Sequence, residues 1–350
     1  MITGKLAAHS RKGWAVAAAG AALAMALGPV PAAAGAHPAA GAHTAAWAHA
    51  AASPPPGREW AAFAYYPPQH ELVLFGGRHP GMVFGDTWTR TGATWTQQHP
   101  ATAPSARTGA AMVYDPASRQ LLLFGGGATT GTGFSNQTWT WNGSTWTLRH
   151  PATSPPARED TGMVYDAATK TVLLFAGWHG AYWDDTWSWN GTTWTPLSPA
   201  TSPSGRDSFA FVYDPATKAV ILFGGFRGTG YAPGDTWSWN GTTWTPLSPA
   251  ASPGVDVFAW QAAYDPASHQ LVLFGGDGGG KPFLSGTWTW TGSNWSRLSP
   301  AASPPGRAYG TLTYDSADQR VVLFAGSEQA LTVFPSTIWS WNGSTWAQGT

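Results

Sequence analysis

The sequence predicts an all-β fold: one six-bladed β-propeller with four antiparallel strands in each blade. Three observations carry the prediction. A tyrosine recurs at Tyr65, Tyr114, Tyr165, Tyr213, Tyr264 and Tyr314, at intervals of 48 to 51 residues, and a period near 50 is one of those that marks propellers. The 43 glycines and 29 prolines fall at repeated positions between apolar runs, which is the turn-rich pattern of an all-β chain. The stretch DTWSWNGTTWTPLSPA occurs twice, at 185–200 and 235–250, so the 23 tryptophans are placed by the same repeat.

Each strand of the unit can be justified from the second copy, which opens TGAAMVYDPASRQLLLFGG (108–126) and closes TWTWNGSTWTL (138–148). Thr108 to Tyr114, small and β-compatible, is predicted to be the innermost strand, crowded at the central axis. Asp115 and Pro116 then turn the chain, one by accepting backbone N–H groups and the other by pre-setting φ. Leu121 to Phe124 is apolar at consecutive positions and so needs burial on both faces, which stacked sheets provide. The glycine pairs that follow (Gly76-Gly77, Gly125-Gly126, Gly224-Gly225, Gly275-Gly276, with Ala176-Gly177 and Ala325-Gly326 as variants) permit positive φ or close backbone approach. Asn-Gly between two alternating runs predicts a type I′ hairpin centred on Asn142 and Gly143. That register sets Trp141 opposite Ser144 and Trp139 opposite Trp146, and likewise pairs Trp187 with Trp194 and Trp237 with Trp244. Trp-x-Trp keeps both indoles on one face, where each buries roughly 150–250 Å² against the next blade. Arg90 replaces the second tryptophan in the first repeat.

Composition bounds the function. The 350 residues hold 18 basic and 18 acidic side chains, a charged fraction of 10% against about 25% in ordinary soluble domains, and no basic cluster that would point to nucleic acid or an anionic membrane. Lys5, Arg11 and Lys12, the apolar run Trp14 to Val30, and the small-residue site Ala34-Gly35-Ala36 are the parts of a secretory signal, with cleavage expected after Ala36. Gly20, Gly28 and Pro29 interrupt the run, so stable membrane insertion is not expected once residues 1–36 are removed. Three basic and no acidic residues lie in that leader, which leaves a processed net charge of about −3. Residues 37–52 read as an Ala/His/Pro-rich linker, in which His37, His43 and His49 form no metal motif, and 53–350 as the propeller. With no cysteine, an exported chain must be held by packing rather than disulfides. Four of its six Asn-x-Ser/Thr matches (Asn142, Asn190, Asn240, Asn342) are the Asn of Asn-Gly and are read as turn residues first. The mature protein is expected to be a monomer.

An apolar strand ending in Gly-Gly, a later DTW strand, a lone tryptophan and a Pro-rich link ending in arginine together resemble the Kelch repeat, and the whole of Ser53 to Thr350 is similar to the propeller domain of galactose-oxidase-like proteins. The resemblance implies that the links between blades, and those between second and third strands, share one face of the disc, where ligands of the family bind. An arginine stands seven residues before the tyrosine at Arg58, Arg107, Arg158, Arg206 and Arg307, with Val257 and neighbouring Asp256 in the fifth repeat. The Kelch pattern carries arginine here to bond carbonyls between blades. The same guanidiniums, followed by Glu59, Glu159 and Asp207, also suit bidentate capture of a carboxylate or sugar acid. The loops after the glycine pairs vary most and each carries an aromatic: Phe84, Phe134, Trp183, Tyr231, Phe283 and Phe334. The third is richest, with Trp178, His179, Tyr182, Trp183, Asp184 and Asp185, a set suited to stacking a sugar ring and bonding its hydroxyls.

The candidate ligand residues are therefore Arg58, Arg107, Arg158, Glu159, Trp178, His179, Trp183, Arg206, Asp207, Tyr231 and Arg307. No catalytic or metal-binding set is predicted and no cofactor is expected: the copper site of the galactose-oxidase precedent needs a cysteine, and His79 and His179 lie two blades apart. The expected function is that of a secreted binding module recognising an extracellular glycan or protein. The alternative is a sugar-active enzyme such as a sialic-acid mutarotase-like epimerase, working with Arg158, Glu159 and Asp207. The sixth repeat has its own outer strand at Ser344 to Gln348, so ring closure is expected without strand exchange, with Ala45 to Arg58, including Trp47, peripheral.

Overall fold

The computed structural model describes residues 53–129, 131–228, 234–254, 257–279, 282–328 and 331–349; the expected leader, linker and Trp47 lie outside the described residues. Six four-stranded antiparallel meanders follow one another, each built from one contiguous stretch. Blade 1 comprises Ala62–Tyr66, Glu71–Phe75, Thr87–Thr91 and Thr94–Gln98. Blade 2 comprises Ala111–Asp115, Gln120–Phe124, Thr138–Trp141 and Trp146–Arg149. Blade 3 has Gly162–Asp166, Thr171–Trp178, Tyr182–Trp189 and Trp194–Leu197, its middle strands prolonged into a raised hairpin. Blade 4 has Ala210–Asp214, Ala219–Phe223, Thr236–Trp239 and Trp244–Leu247. Blade 5 has Gln261–Asp265, Gln270–Phe274, Thr287–Trp290 and Trp295–Leu298. Blade 6 ends with its own outer strand, formed by Thr311–Asp315, Arg320–Phe324, Ile338–Trp341 and Trp346–Gln348.

The second strands behave as their apolar runs require. From Leu72–Phe75 in blade 1 to Val321–Phe324 in blade 6, none of their four central residues is more than 3% exposed. Each such side chain contributes about 1.5–3 kcal/mol by leaving water, so the stacked second strands are the main source of cohesion. Between blades, the outer tryptophan of one blade lies on the phenylalanine that ends the second strand of the blade before it: Trp146 sits 5.3 Å from Phe75 and Trp194 5.4 Å from Phe124. Its indole N–H also crosses the seam to a buried threonine hydroxyl, Trp146 to Thr87 at 2.9 Å, Trp194 to Thr138 at 2.9 Å, Trp244 to Thr186 at 3.1 Å, Trp295 to Thr236 at 3.0 Å and Trp346 to Thr287 at 2.9 Å. At the seam between blades 6 and 1, Ile338 stands in the threonine position, so Trp95 packs on Phe324 at 5.0 Å without a threonine hydroxyl to receive its indole N–H.

Two expectations are corrected. The outer hairpin is not a two-residue type I′ turn. Asn142 Oδ1 accepts from the N–H groups of Ser144 and Thr145, both at 3.0 Å, and this side-chain turn opens a four-residue loop in which only Gly143 of the Asn-Gly pair takes positive φ, 97°. The register moves with it. Trp141, not Trp139, opposes Trp146, with ring centroids 5.3 Å apart, and the other pairs are Trp189 with Trp194 and Trp239 with Trp244 rather than Trp187 with Trp194 and Trp237 with Trp244. The innermost strand of blade 2 starts at Ala111 rather than Thr108, because Gly109 has a φ of 64° and cannot extend it.

The ring closes as expected, without strand exchange. The last blade meets the first through apolar packing of Phe63, Tyr65 and Trp95 on Val322, Phe324 and Ile338, and through the backbone bond from Gly326 N–H to Arg58 O at 2.9 Å.

Candidate ligand face at the channel mouth

The segment that leads into each blade pairs with the loop leaving that blade's second strand. Single bridges join Glu59 to Arg78, Thr108 to Gly127, Glu159 to Trp178, Asp207 to Phe226 and Phe258 to Asp277, and a short ladder joins Arg307–Ala308 to Ser327–Glu328. The lead-in segments and variable loops therefore share one face.

The arginine column builds this face but does not open onto it. Arg58, Arg158, Arg206 and Arg307 are 0% exposed and Arg107 is 3% exposed. Each guanidinium donates to the first carbonyl of its blade's glycine pair, for example Arg58 to Gly76 O at 2.9 Å and Arg158 to Ala176 O at 3.0 Å. Three clasp the aspartate of DTW with two bonds: Arg58 on Asp86 (2.6 and 3.0 Å), Arg158 on Asp185 (2.5 and 2.7 Å) and Arg206 on Asp235 (2.7 and 2.9 Å). The same aspartates accept the first indole N–H, as from Trp187 to Asp185 at 2.7 Å. Burial pushes the Asp86 carboxyl up, but Arg58 and Trp88 outweigh it and hold it below its usual range. Where the aspartate is missing, the arginine improvises: Arg107 donates to Gln137 at 2.8 Å and, with no carboxylate beside it, is drawn down to about 10 by burial, while Arg307 takes Glu328 at 2.5 Å. The expected ring of ligand-facing guanidiniums is thus a ring of internal clamps, since these forks are buried and already bonded to internal carbonyls and side chains. Backbone bonds from the second glycine of one blade to the next blade's arginine carbonyl, such as Gly77 N–H to Arg107 O at 2.9 Å, make each clamp a joint between blades.

Glu159 and Asp207 are likewise buried, at 1% and 0%. Glu159 Oε1 accepts from Gly131 N–H at 3.2 Å. Arg158, Glu159 and Asp207 do not form the open arginine–carboxylate set that a mutarotase-like reading requires. Trp183 turns inward under the Arg158 guanidinium, 5.0 Å away, whereas Trp178 and the exposed His179 stay at the surface against Phe134, at 5.2 and 4.6 Å. Tyr231 lies outside the described residues.

The site that the structure assembles was missed in the sequence. Two residues after each arginine position stand Trp60, Gly109, Asp160, Ser208, Ala259 and Tyr309, and all six have φ between 51° and 64°. Five are not glycine, and left-handed backbone at such residues marks places where the surrounding structure imposes the conformation. The cause is a belt of head-to-tail backbone bonds around the axis: Trp60 N–H to Tyr309 O (3.0 Å), Gly109 to Trp60 (3.0 Å), Asp160 to Gly109 (2.8 Å) and Ala259 to Ser208 (2.7 Å). The belt rims a central cavity of about 240 Å³ whose walls are Ala61, Ala110, Met163, Phe209 and their equivalents.

Around this rim runs an arc of half-buried rings. Tyr182 touches Phe226 at 5.8 Å, Phe226 touches Phe258 at 5.2 Å, Phe258 touches Tyr309 at 6.2 Å, and Tyr309 touches Trp60 at 4.4 Å. The Arg78 guanidinium covers Trp60 at 4.2 Å and pairs with Glu59 at 2.6 Å, while the Tyr309 hydroxyl donates to Asp277 at 2.8 Å. Burial raises the pKa of Glu59 against the opposing pull of Arg78, and the Ser327 hydroxyl of blade 6 donates to its other oxygen. Ser208 Oγ, on the rim, is buried without a hydrogen-bond partner among the described residues. The signal was legible in principle: at this column the six copies carry six different residues. Among the described residues no cluster of His, Cys, Asp and Glu suits a metal ion.

Six meanders around one axis, joined by an arginine that clasps the DTW aspartate, define a Kelch-type propeller. The Kelch-repeats domain described for KLHDC2, KLHL20 and DRC7 matches residues 41–200, and the six repeats of the chain fold as a six-bladed β-propeller of Kelch type. Comparison with curated proteins gives no match.

Proposed function

We propose that this chain is an exported, monomeric interaction module that binds an uncharged extracellular glycan along the aromatic rim of its channel mouth. The observation that carries the reading is the arc from Tyr182 through Phe226, Phe258 and Tyr309 to Trp60. Flat, half-exposed rings stack on the apolar faces of sugars, and rim groups such as Asp277 and Ser208 offer bonds to hydroxyls. Kelch propellers typically serve as interaction modules, and the leader features at 1–36 support export. A charged ligand is disfavoured because the guanidiniums and carboxylates nearest the rim already engage one another.

A protein partner is the second reading, favoured by one observation. The large apolar side chains most exposed among the described residues, Met82 (58%), Leu331 (43%) and Val333 (37%), sit on the loops of blades 1 and 6, and Leu331 is held at a φ of 71°. Glycan-array screening followed by calorimetry separates the two. Trp60→Ala and Tyr309→Ala should each weaken glycan binding at least tenfold, about 1.4 kcal/mol, with Met82→Ser neutral. Glycan binding unchanged by both rim substitutions would overturn the glycan reading; loss of a protein partner in Met82→Ser with Leu331→Ser would install the second.

A further inference from the structure

We propose that the seam between blades 6 and 1 holds a separate small-molecule site, at which Arg90 and Arg320 receive the carboxylate of a small ligand and Asp318 receives a hydrogen-bond donor on the same molecule. The site is a departure from the repeat. At the second tryptophan position, Trp141, Trp189, Trp239, Trp290 and Trp341 fill the other five seams and are at most 2% exposed. Blade 1 has Arg90 there, and beside it lies a cavity of about 360 Å³ lined by Arg90, Asp318, Arg320, Val322, Ile338 and Ser340. That volume is in the range of small-molecule pockets.

A second departure faces the first. In the turn of blades 2, 4 and 5, Ser118, Thr217 and Ser268 donate their hydroxyls to the turn aspartate at 2.8, 2.9 and 2.8 Å. Blade 6 has Asp318 in their place, where it cannot donate. Its neighbour Asp315 is occupied by the N–H groups of Ala317 and Asp318, at 2.9 and 3.3 Å. Arg90 Nε is buried without a hydrogen-bond partner among the described residues, and Asp318 and Asp315 act on the guanidinium only through their charge. A guanidinium and a carboxylate that line one cavity without closing on each other leave both a donor fork and an acceptor unused, and a buried donor without a partner carries a standing penalty. A hydroxy- or amino-carboxylate satisfies both ends at once, with its carbon skeleton against Val322 and Ile338. Neither a neutral sugar nor a simple anion does so.

The test is a thermal-shift and calorimetry series with lactate, glutamate and galacturonate as probes and with acetate, sulfate and glucose as controls. At least one of the three probes should raise the melting temperature of the full chain in a saturable way, because a ligand that binds only the folded state stabilises it. Arg90→Trp, which restores the residue of the other five seams, should abolish the shift, and Arg90→Met, which keeps the stem without the fork, should abolish it without filling the cavity. No shift with any probe, a shift that survives Arg90→Met, or an equal shift with acetate or sulfate would overturn the proposal. Glycan binding at the rim, measured on the same variants, should be unchanged, so failure here leaves the rim reading standing.

Discussion

Removing Asp185 tests the claim that the arginine column is frame rather than ligand site. The Arg158 guanidinium is 0% exposed and holds Asp185 through two bonds of 2.5 and 2.7 Å, with further bonds to Pro156 O and Ala176 O at 3.0 Å. Asp185→Ala leaves a buried cation with only carbonyls around it and strips the Trp187 N–H of its acceptor. Loss of one partner from a buried pair costs about 3–5 kcal/mol; because Asp185 is 26% exposed and water can partly replace it, we expect roughly 3 kcal/mol. Arg158→Met alone should cost about 2 kcal/mol, since the carboxylate it frees can reach solvent. The double variant should then cost about 2 kcal/mol less than the sum, because the charge left stranded in the single variant is gone. Blade 5 is the natural control, with Val257 and Gly286 where the other blades have the arginine and the aspartate or its substitute. Denaturation followed by tryptophan fluorescence at low and high salt is the assay, and a buried pair should respond little to salt. An Asp185→Ala cost below about 1 kcal/mol, or strict additivity, would refute the frame argument.

Two further outcomes follow from the seams and from burial. Trp146→Phe should cost about 1–3 kcal/mol, because it leaves the Thr87 hydroxyl buried without its 2.9 Å donor, whereas Trp95→Phe should cost distinctly less, since Ile338 offers no hydroxyl to lose; equal costs by chemical denaturation would contradict the seam description. Glu71 is raised by burial from 4.5 to about 7, so the folded protein keeps a proton that the unfolded chain releases, and stability should fall as pH rises from about 4.5 to 7. Glu71→Gln should remove that fall and be more stable than wild type above pH 7, by about 1–2 kcal/mol after allowance for the Thr89 hydroxyl that already serves the carboxylate. Identical pH profiles of melting temperature would show that Glu71 titrates normally.

The frame was readable because its causes are local and repeated. Four consecutive apolar residues before a glycine pair demand burial on both faces, and Leu121–Phe124 receive it. The hairpin was misread by two residues because Asn-Gly is compatible with two turns, and the choice was made by Asn142 Oδ1 accepting from two N–H groups, which a two-residue loop cannot supply. The site was less legible than the frame. Arginine followed by an acid looks the same in sequence whether it faces a ligand or clasps a DTW aspartate some 28 residues further on, as Arg58 clasps Asp86. Trp60 and Tyr309 stand at opposite ends of the chain, and only ring closure brings their rings to 4.4 Å.

That closure gives the rim its physical meaning. The first and last blades share no strand, so they are held by the Gly326–Arg58 and Trp60–Tyr309 backbone bonds, by Ser327 on Glu59, and by an apolar seam that lacks the tryptophan–threonine bond of the other five. Among the described residues this is the joint without a tryptophan–threonine bond, and it is also where Trp60 of blade 1 meets Tyr309 of blade 6. A ligand stacked on both rings binds only the closed ring, so its binding free energy adds directly to the stability of the joint, about 2.7 kcal/mol at a hundredfold excess over the dissociation constant. Interruption of the repeat by Arg90, Ile338 and Asp318 at this one seam therefore weakens the frame where occupation of the rim can restore it.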